Sequence, residues 1–190
     1  MQRRRELVDM TRQRITEAAM RLHTTAGPSQ ASISAIADEA GVNRLTLYRH
    51  FKSKDDLFRA CMTHWRDLHP PPDPEPWRAI PAFEDRIRIG LRELYAWFGA
   101  NGEDLYPVYR DVVNTPESTR QARQATNDRM TDALLGDARL RTAERRRLAA
   151  IVGHFIGFWT WRSLVVEQGL SVRDASALAA DLVLCADVSA

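Results

Sequence analysis

Apolar residues recur at intervals of three and four along most of this chain, and alternation with a period of two is nearly absent. The clearest runs are Ile15, Ala18, Ala19, Leu22 and Ile87, Leu91, Leu94, Phe98. Such spacing gathers apolar side chains on one face of an α-helix, whereas a half-buried strand would need strict alternation. The sequence therefore predicts an all-α fold.

Residues typical of helix ends divide this pattern into about nine helices. Gly27, Gly41, Gly136 and Gly169 stand where a left-handed C-terminal cap is needed, and Ser53 with Asp56 resembles a capping box. The predicted helices are Arg4 to Ala26, Ile33 to Ala40, Arg44 to Phe51, Lys54 to Leu68, Pro81 to Gly99, Asp104 to Val113, Pro116 to Leu135, Thr142 to Gln168 and Val172 to Asp187.

Six prolines lie between residues 70 and 81, so we predict that no helix runs through this stretch. The balance of charge also changes there. Residues 1–68 hold 12 basic and 8 acidic groups, a net charge of +4, whereas residues 69–190 hold 15 and 17, a net charge of −2. A basic segment of this size favours a nucleic acid or an acidic surface as a partner.

Several classes of protein are disfavoured by what the sequence lacks. It contains no glycine-rich phosphate loop, no G-x-S-x-G and no H-E-x-x-H motif, so we predict no enzyme and expect no cofactor. The two cysteines are far apart, which fits a cytoplasmic location. The longest uncharged run, 148–161, is too short to cross a bilayer, so no membrane partner is predicted.

The most informative segment is 32–58, SISAIADEAGVNRLTLYRHFKSKDDLF. Apolar residues from Ile33 to Ala40 form one face of a short helix, and Gly41 permits the positive φ that ends it. Asn43 caps a second short helix, in which Leu47 and Phe51 face the same core. This is the spacing of a helix-turn-helix.

The second helix of this motif carries polar and aromatic side chains that are turned away from its core face. Arginine, tyrosine, histidine and threonine in such a position can contact base edges and phosphates in a DNA major groove. The alternative explanation is that these side chains form an ordinary solvent-exposed helix surface. The candidate DNA-binding residues are Arg44, Leu45, Thr46, Tyr48, Arg49, His50 and Lys54.

The chain resembles the TetR (tetracycline-repressor) family of transcriptional regulators. The resemblance rests on TRQRITEAAMRL closed by Gly27, on IADEAGV, on LTLYRHF and on KSKDDLF. It implies that Thr46 and Arg49 read bases and that Tyr48, His50 and Lys54 contact phosphates. Two features depart from the family pattern: Leu45 replaces a small residue or proline, and residues 29–33 read SQASI, which leaves Ser32 to cap the second helix.

The resemblance also implies a domain plan: a helix-turn-helix DNA-binding domain at 1–53, a connecting helix and Pro-rich linker at 54–80, and a ligand-binding and dimerisation domain at 81–190. We accordingly predict a homodimeric repressor that a hydrophobic small molecule releases from a palindromic double-stranded DNA operator. Whether it represses or activates stays open at this point.

Residues after Phe83 include more aromatic side chains than a plain helical bundle of this length requires. About half of them are explained equally well as ordinary core. The candidate ligand-binding residues are Trp97, Phe98, Tyr106, Tyr109, Arg110, His154, Phe158 and Trp161. The apolar faces predicted to form the dimer contact include Leu148, Ile151, Val152, Phe155, Trp159, Ala177, Leu178, Leu182 and Cys185.

Two further features have alternative explanations. Cys61 and His64 lie three residues apart on one helix, with His69 following, an arrangement that would suit a metal-sensing regulator. A buried cysteine beside an exposed histidine is the simpler explanation. The arginines at 3–5 suggest a flexible basic tail that adds nonspecific affinity for phosphates.

Overall fold

The computed structural model describes residues 2–136 and 141–186, and within these ranges it contains helices and no β-strand. This confirms the all-α prediction. The ten α-helices are α1 Gln2–Thr25, α2 Ile33–Glu39, α3 Arg44–His50, α4 Lys54–Leu68, α5 Glu75–Arg78, α6 Phe83–Arg110, α7 Glu117–Leu135, α8 Thr142–Phe155, α9 Phe158–Arg162 and α10 Val172–Leu184. A 3₁₀ turn spans Val112–Asn114 and a π-helical turn spans Ser163–Glu167.

Helix α6 replaces the two helices predicted at Pro81 to Gly99 and Asp104 to Val113. Gly99, the predicted end of the first of these helices, and Gly102 both allow close packing inside α6. A Cβ at Gly102 would collide with the ring of Trp161, and one at Gly99 would stand 3.0 Å from Val172. Pro107 lies inside the helix one turn from its end, where it removes a single backbone hydrogen bond.

The prediction of one helix from Thr142 to Gln168 is wrong, because the helix is interrupted between α8 and α9. The Thr160 hydroxyl donates to the His154 carbonyl at 2.6 Å, and the Gly157 N–H donates to the same carbonyl at 3.1 Å. These bonds satisfy an acceptor that a continuous helix would have used.

The structure also differs from the predictions for the Pro-rich stretch and for the N-terminal arginines. A single-turn helix, α5, forms within the Pro-rich stretch, where Pro76 occupies one of the first positions and needs no N–H partner. The arginines predicted to form a flexible tail belong to a segment that is helical from residue 2. The predicted end of the last helix at Asp187 lies outside the described residues.

The predicted caps are confirmed. All four glycines named as C-caps have positive φ, from +57° at Gly136 to +97° at Gly27. Ser32, Asn43 and Ser53 accept hydrogen bonds from the backbone N–H three residues on, at 2.8–3.1 Å. The helix-turn-helix is therefore fixed by local chemistry that is visible in the sequence.

By its internal contacts the chain divides into two units. The first runs to Pro70 and also includes Glu103–Gln121; the second comprises Pro71–Gly102 and continues from Ala122. Helix α4 packs against α1 within the first unit. The domain boundaries predicted after residues 53 and 80 stay predictions. The functional roles assigned to the predicted domains stay predictions.

The first unit has a core made by α1, α2, α3 and α4. Its most deeply buried side chains include Ile15, Ala18, Ala19, Ile36, Ala37, Leu47, Phe51, Leu57 and Cys61. The His23 imidazole is buried in the same core, edge-on to Phe58 at 4.8 Å and with Nδ1 3.4 Å from the Cys61 Sγ. Burial lowers the pKa of His23 to about 4, because a charged ring would lose its hydration there.

The second unit contains a buried arginine that binds the end of a helix. Arg86 donates from Nε to the Leu134 carbonyl at 3.0 Å and from Nη2 to the Leu135 carbonyl at 3.1 Å. Its Nη1 donates to the Ile80 and Pro81 carbonyls. The positive charge thus lies at the C-terminal end of α7, where the helix dipole is negative.

Within the described ranges no single helix is long and apolar enough to cross a membrane. The bent pair Thr142–Phe155 and Phe158–Glu167, with an angle of 50°, meets the criteria of length and composition only when both helices are taken together.

We expect acidification to destabilise this protein through His23. Between pH 6.5 and about 4 the unfolded chain protonates this ring while the folded chain does not, so the free energy of unfolding falls as pH falls. The loss reaches on the order of 3 kcal/mol. Urea unfolding at pH 7 and pH 4.5 should show a smaller difference in His23→Gln than in wild type. An equal difference in the two proteins would contradict this assignment.

Candidate nucleic-acid interface

Helix α3 separates its side chains into a buried face and an open face. Leu47 is fully buried, and Phe51, just beyond the helix, is buried with it. On the other side Leu45 is 73% exposed and Tyr48 is 45% exposed. Arg44 and Arg49 are exposed as well, and Thr46 and His50 are half-buried. The sequence-based division of this helix between core and solvent is thus confirmed, whereas the role of each exposed side chain stays a prediction.

The end of α3 is held by an arginine that the sequence analysis missed. Arg12 of α1 donates from Nη1 to the His50 carbonyl, and its guanidinium lies 4.1 Å from the centre of the Phe51 ring. Arg12, His50 and Lys52 line an open groove of about 780 Å³ that continues along α4. No sequence motif links Arg12 to His50, because 38 residues separate them.

The protonation state of His50 follows from this environment. Partial burial and the neighbouring charges of Arg12 and Arg49 lower the pKa of His50. At pH 7 the ring is therefore mainly neutral, and one of its nitrogens can accept a hydrogen bond. The permanent positive charges at this end of α3 come from Arg49 and Lys52, with Arg12 beneath them.

Lys54 lies apart from this groove. It begins α4, immediately after the capping Ser53, and its side chain is exposed. It borders a second, smaller cavity of about 230 Å³, together with His23, Ser29 and Ile33. An anion beside Lys54 would meet both the ammonium and the free N–H groups of the first turn of α4.

A network of hydrogen bonds joins the end of α6 to the loop after α1; we call it the latch, and its members are Ala26, Ser29, Arg110 and Asp111. The Asp111 carboxylate accepts from the Ser29 N–H at 3.0 Å and from the Ser29 hydroxyl. Arg110 donates from Nε to Asp111 at 2.8 Å and from Nη2 to the Ala26 carbonyl at 2.9 Å.

The latch depends on the glycine between its two halves. A Cβ at Gly27 would overlap the Asp111 carboxylate and the Arg110 guanidinium, and the φ of +97° would strain any other residue. Hydrogen bonding to Arg110 and Ser29 holds the pKa of Asp111 well below its usual range, although burial opposes this shift. Asp111 is consequently ionised at neutral and mildly acidic pH.

Four of the eight candidate ligand-binding residues pack together in the second unit, and we call them the aromatic cluster: Trp97, Phe98, Phe158 and Trp161. The ring centres of Phe98, Phe158 and Trp161 are 5.5–5.6 Å apart, and Trp97 lies 5.3 Å from Phe98. Phe98, Phe158 and Trp161 are buried. Their spacing is typical of tilted and edge-to-face aromatic packing.

The other four candidates are placed differently. Tyr106, Tyr109 and Arg110 belong to the first unit, where Arg110 is a member of the latch and lies 5.8 Å from the Tyr106 ring. His154 is exposed at the end of α8, within 3.4 Å of the Thr160 hydroxyl. The sequence did not separate these residues from the aromatic cluster, because their spacing along α6 is equally helical.

The metal-sensing alternative gains no support. Within the described residues no group of three or more His, Cys, Asp or Glu side chains is placed to hold a metal ion. Cys61 is fully buried, donates to the Phe58 carbonyl at 3.1 Å and contacts His23, whereas His64 lines the groove beside α4. Burial raises the pKa of the Cys61 thiol to about 12, which disfavours the thiolate that a metal requires.

Residues 15–61 match the family model described as bacterial regulatory proteins, TetR family. The HTH-type transcriptional regulator AcrR of Shigella flexneri is 50% identical over 48 residues, which are 25% of this chain and only 22% of that protein. The HTH-type transcriptional activator FasR of Mycolicibacterium smegmatis is 26% identical over 147 residues, 75% of this chain and 67% of that protein.

A longer likeness appears in the fold. The transcriptional regulator FadR of Bacillus subtilis, solved in complex with stearoyl-CoA, superposes with a TM-score of 0.62. The match covers 91% of this chain and 97% of that one, at 16% sequence identity. Identity at this level shows a shared fold. AcrR and FadR are named as transcriptional regulators and FasR as a transcriptional activator.

We expect the latch to contribute measurably to stability. Asp111→Asn removes the charge paired with Arg110 and leaves donors facing an amide, so the free energy of unfolding should fall by about 1–3 kcal/mol at pH 7. The matched control is Asp181→Asn, which removes a mostly exposed ion pair with Arg88 and should lower the free energy of unfolding much less, because solvent screens that pair. Equal losses in the two variants by urea unfolding would contradict the role of the latch.

Proposed function

We propose that the chain is a transcriptional regulator that binds a double-stranded DNA operator, since its residues 15–61 match the model of TetR-family regulatory proteins. The observation that carries the proposal is the open face of α3. This short, capped helix presents Leu45, Tyr48 and Arg49 to solvent while Leu47 anchors it in the core. A helix held in this way can enter a major groove without losing its packing.

The exposed residues divide by chemistry into two roles. Thr46 and Arg49 are the proposed base readers, and Arg49 is suited to a bidentate contact with guanine. Arg44 and Leu45 are exposed as well, and Leu45 suits the methyl group of thymine. Tyr48, His50 and Lys54 are the proposed phosphate contacts, which fix the register of the protein on the duplex.

A single α3 is short and can contact only a few base pairs, so we propose that two copies bind a palindromic operator as a homodimer. The second unit offers an apolar surface for this contact. On α10, Leu178 is 40% exposed and Leu182 is 48% exposed one turn later, and Trp159 of α9 is also exposed. Apolar side chains in such a row favour a contact that excludes water.

We further propose that a hydrophobic small molecule binds at the aromatic cluster and weakens DNA binding, which would make the protein a repressor. The cluster supports an apolar ligand, and a protein of the same fold holds stearoyl-CoA. Helix α6 supplies Phe98 and Gly102 near the cluster and Arg110 in the latch. A ligand that displaces α6 would therefore act on the loop beside the helix-turn-helix, and coupling of ~1–3 kcal/mol would lower operator affinity about 5- to 150-fold.

The first test separates base readers from phosphate contacts. With an operator selected from random duplexes, Arg49→Ala should lose about 1–3 kcal/mol at one base pair and so relax sequence preference. Lys54→Ala should weaken the selected and an unrelated duplex equally and reduce the salt slope by about one per half-site. Fluorescence anisotropy at several salt concentrations measures both effects.

The matched control for this test is Arg66→Ala, which removes an exposed charge from the opposite end of α4. It should leave both affinity and salt slope unchanged. Failure of the wild-type protein to prefer any duplex would refute the proposed function, and an unchanged salt slope in Lys54→Ala would refute its phosphate contact.

The second test concerns the homodimer. The double variant Leu178→Glu/Leu182→Glu places charges on the proposed contact surface. We expect it to be a monomer at micromolar concentration by light scattering, whereas the wild type is a dimer. Leu68→Glu is the control, since Leu68 is an equally exposed apolar residue on α4. A wild-type monomer, or a dimer that persists in the double variant, would contradict the proposed contact.

A further inference from the structure

Trp161 has an indole N–H that is buried and has no hydrogen-bond partner within the described residues. The side chain is only 4% exposed. Its neighbours are the rings of Phe98 and Phe158, and the edge of its ring lies against Gly102. None of these groups has an oxygen or nitrogen in its side chain that could accept the proton. Native proteins rarely leave a buried donor unpaired, because its hydration is lost without compensation.

The contrast with two other buried tryptophans shows that this chain supplies acceptors elsewhere. The Trp77 indole donates to the Glu93 carboxylate at 2.7 Å. The Trp65 indole donates to the Asp104 carboxylate at 3.0 Å. Both side chains are buried to the same degree as Trp161. The unpaired donor is therefore a property of the aromatic cluster and not of tryptophan burial in general.

The backbone on both sides of Trp161 is irregular. Gly157 precedes α9 in an extended conformation, and a π-helical turn follows at Ser163–Glu167, where the Gln168 N–H bonds to the Ser163 carbonyl at 2.9 Å. Single π-helical turns occur frequently at functional sites. Trp161 therefore lies on a short helix between an extended residue and a π-helical turn, and not within a long regular helix.

From these observations we infer that Trp161 donates a hydrogen bond to the ligand and selects for an acceptor atom on it. This inference rests on the ligand site of the proposed function. An indole N–H can only donate, so the matching group is a carbonyl, ester or ether oxygen. The surrounding rings favour a flat or aliphatic apolar body. The ligand class is therefore a largely apolar molecule with one oxygen acceptor, such as a ketone, quinone or ester.

A matched pair of probes tests this selection. 9-Fluorenone and fluorene share the same three-ring frame and differ in one carbonyl. Hydrophobicity alone favours fluorene, so tighter binding of fluorenone reports the acceptor. By equilibrium dialysis we expect wild type to bind fluorenone at least tenfold more tightly than fluorene, and Trp161→Phe, which keeps an aromatic ring, to lose that preference. Absence of fluorenone binding, equal affinity for both probes, or an undiminished preference in Trp161→Phe would each overturn the inference.

Thermal unfolding of the free protein provides a test without a ligand. Trp161→Phe and Trp77→Phe remove the same volume from buried sites, but only Trp77→Phe also breaks a hydrogen bond and leaves Glu93 unpaired. The fall in Tm should therefore be about 2–4 °C smaller for Trp161→Phe. An equal or larger fall would show that the Trp161 N–H is already paired in the free protein, and it would overturn the inference.

Two further measurements complete the test. The first uses only the wild-type protein, so it does not depend on the folding of a variant, and the second separates the inference from the proposed function. The Trp161 indole N–H resonance of ¹⁵N-labelled wild type should move downfield with fluorenone and not with fluorene; an unmoved resonance would overturn the inference. Operator affinity is then measured with fluorenone present. If fluorenone binds through Trp161 and operator affinity is unchanged, the selection by Trp161 stands and the proposed effector role fails.

Discussion

The ionised carboxylate of Asp111 is the interaction on which the arrangement of the first unit most depends. A buried charge is tolerated only when its hydrogen bonds are complete. Arg110 and two donors from Ser29 complete them here, and the absence of a side chain at Gly27 makes room for the contact. The loop that leads into the helix-turn-helix is thereby tied to the end of α6.

Helix α6 carries residues of both the aromatic cluster and the latch. The same helix that ends at Arg110 carries Phe98 and Gly102, and Gly102 accepts the ring of Trp161 against its backbone. A larger residue at Gly102 would force α6 and α9 apart. Helix α6 therefore supplies residues both to the aromatic cluster and to the latch, which is the observation behind the proposed coupling between ligand and DNA.

The helix-turn-helix was predictable because its determinants are local. Caps at Ser32, Asn43 and Ser53 act within three residues, and the positive φ of Gly41 ends a helix whose apolar face has regular spacing. The exposure of Leu45 follows from the same periodicity. The prediction failed in α6 because Gly99 and Gly102 pack against Val172 and Trp161, neighbours that only the fold supplies. The break after α8 depends on Thr160, which bonds to the His154 carbonyl six residues before it.

The sequence by itself determined the helical class, the caps, the two faces of α3 and the helix-turn-helix motif, because each of these depends on residues within about one turn of one another. Tertiary structure alone decided which residues meet over long separations. It placed Arg12 beneath His50, joined Ser29 to Asp111, and left the Trp161 N–H among rings without an acceptor. Such pairings depend on the path of the whole chain, which no local spacing records.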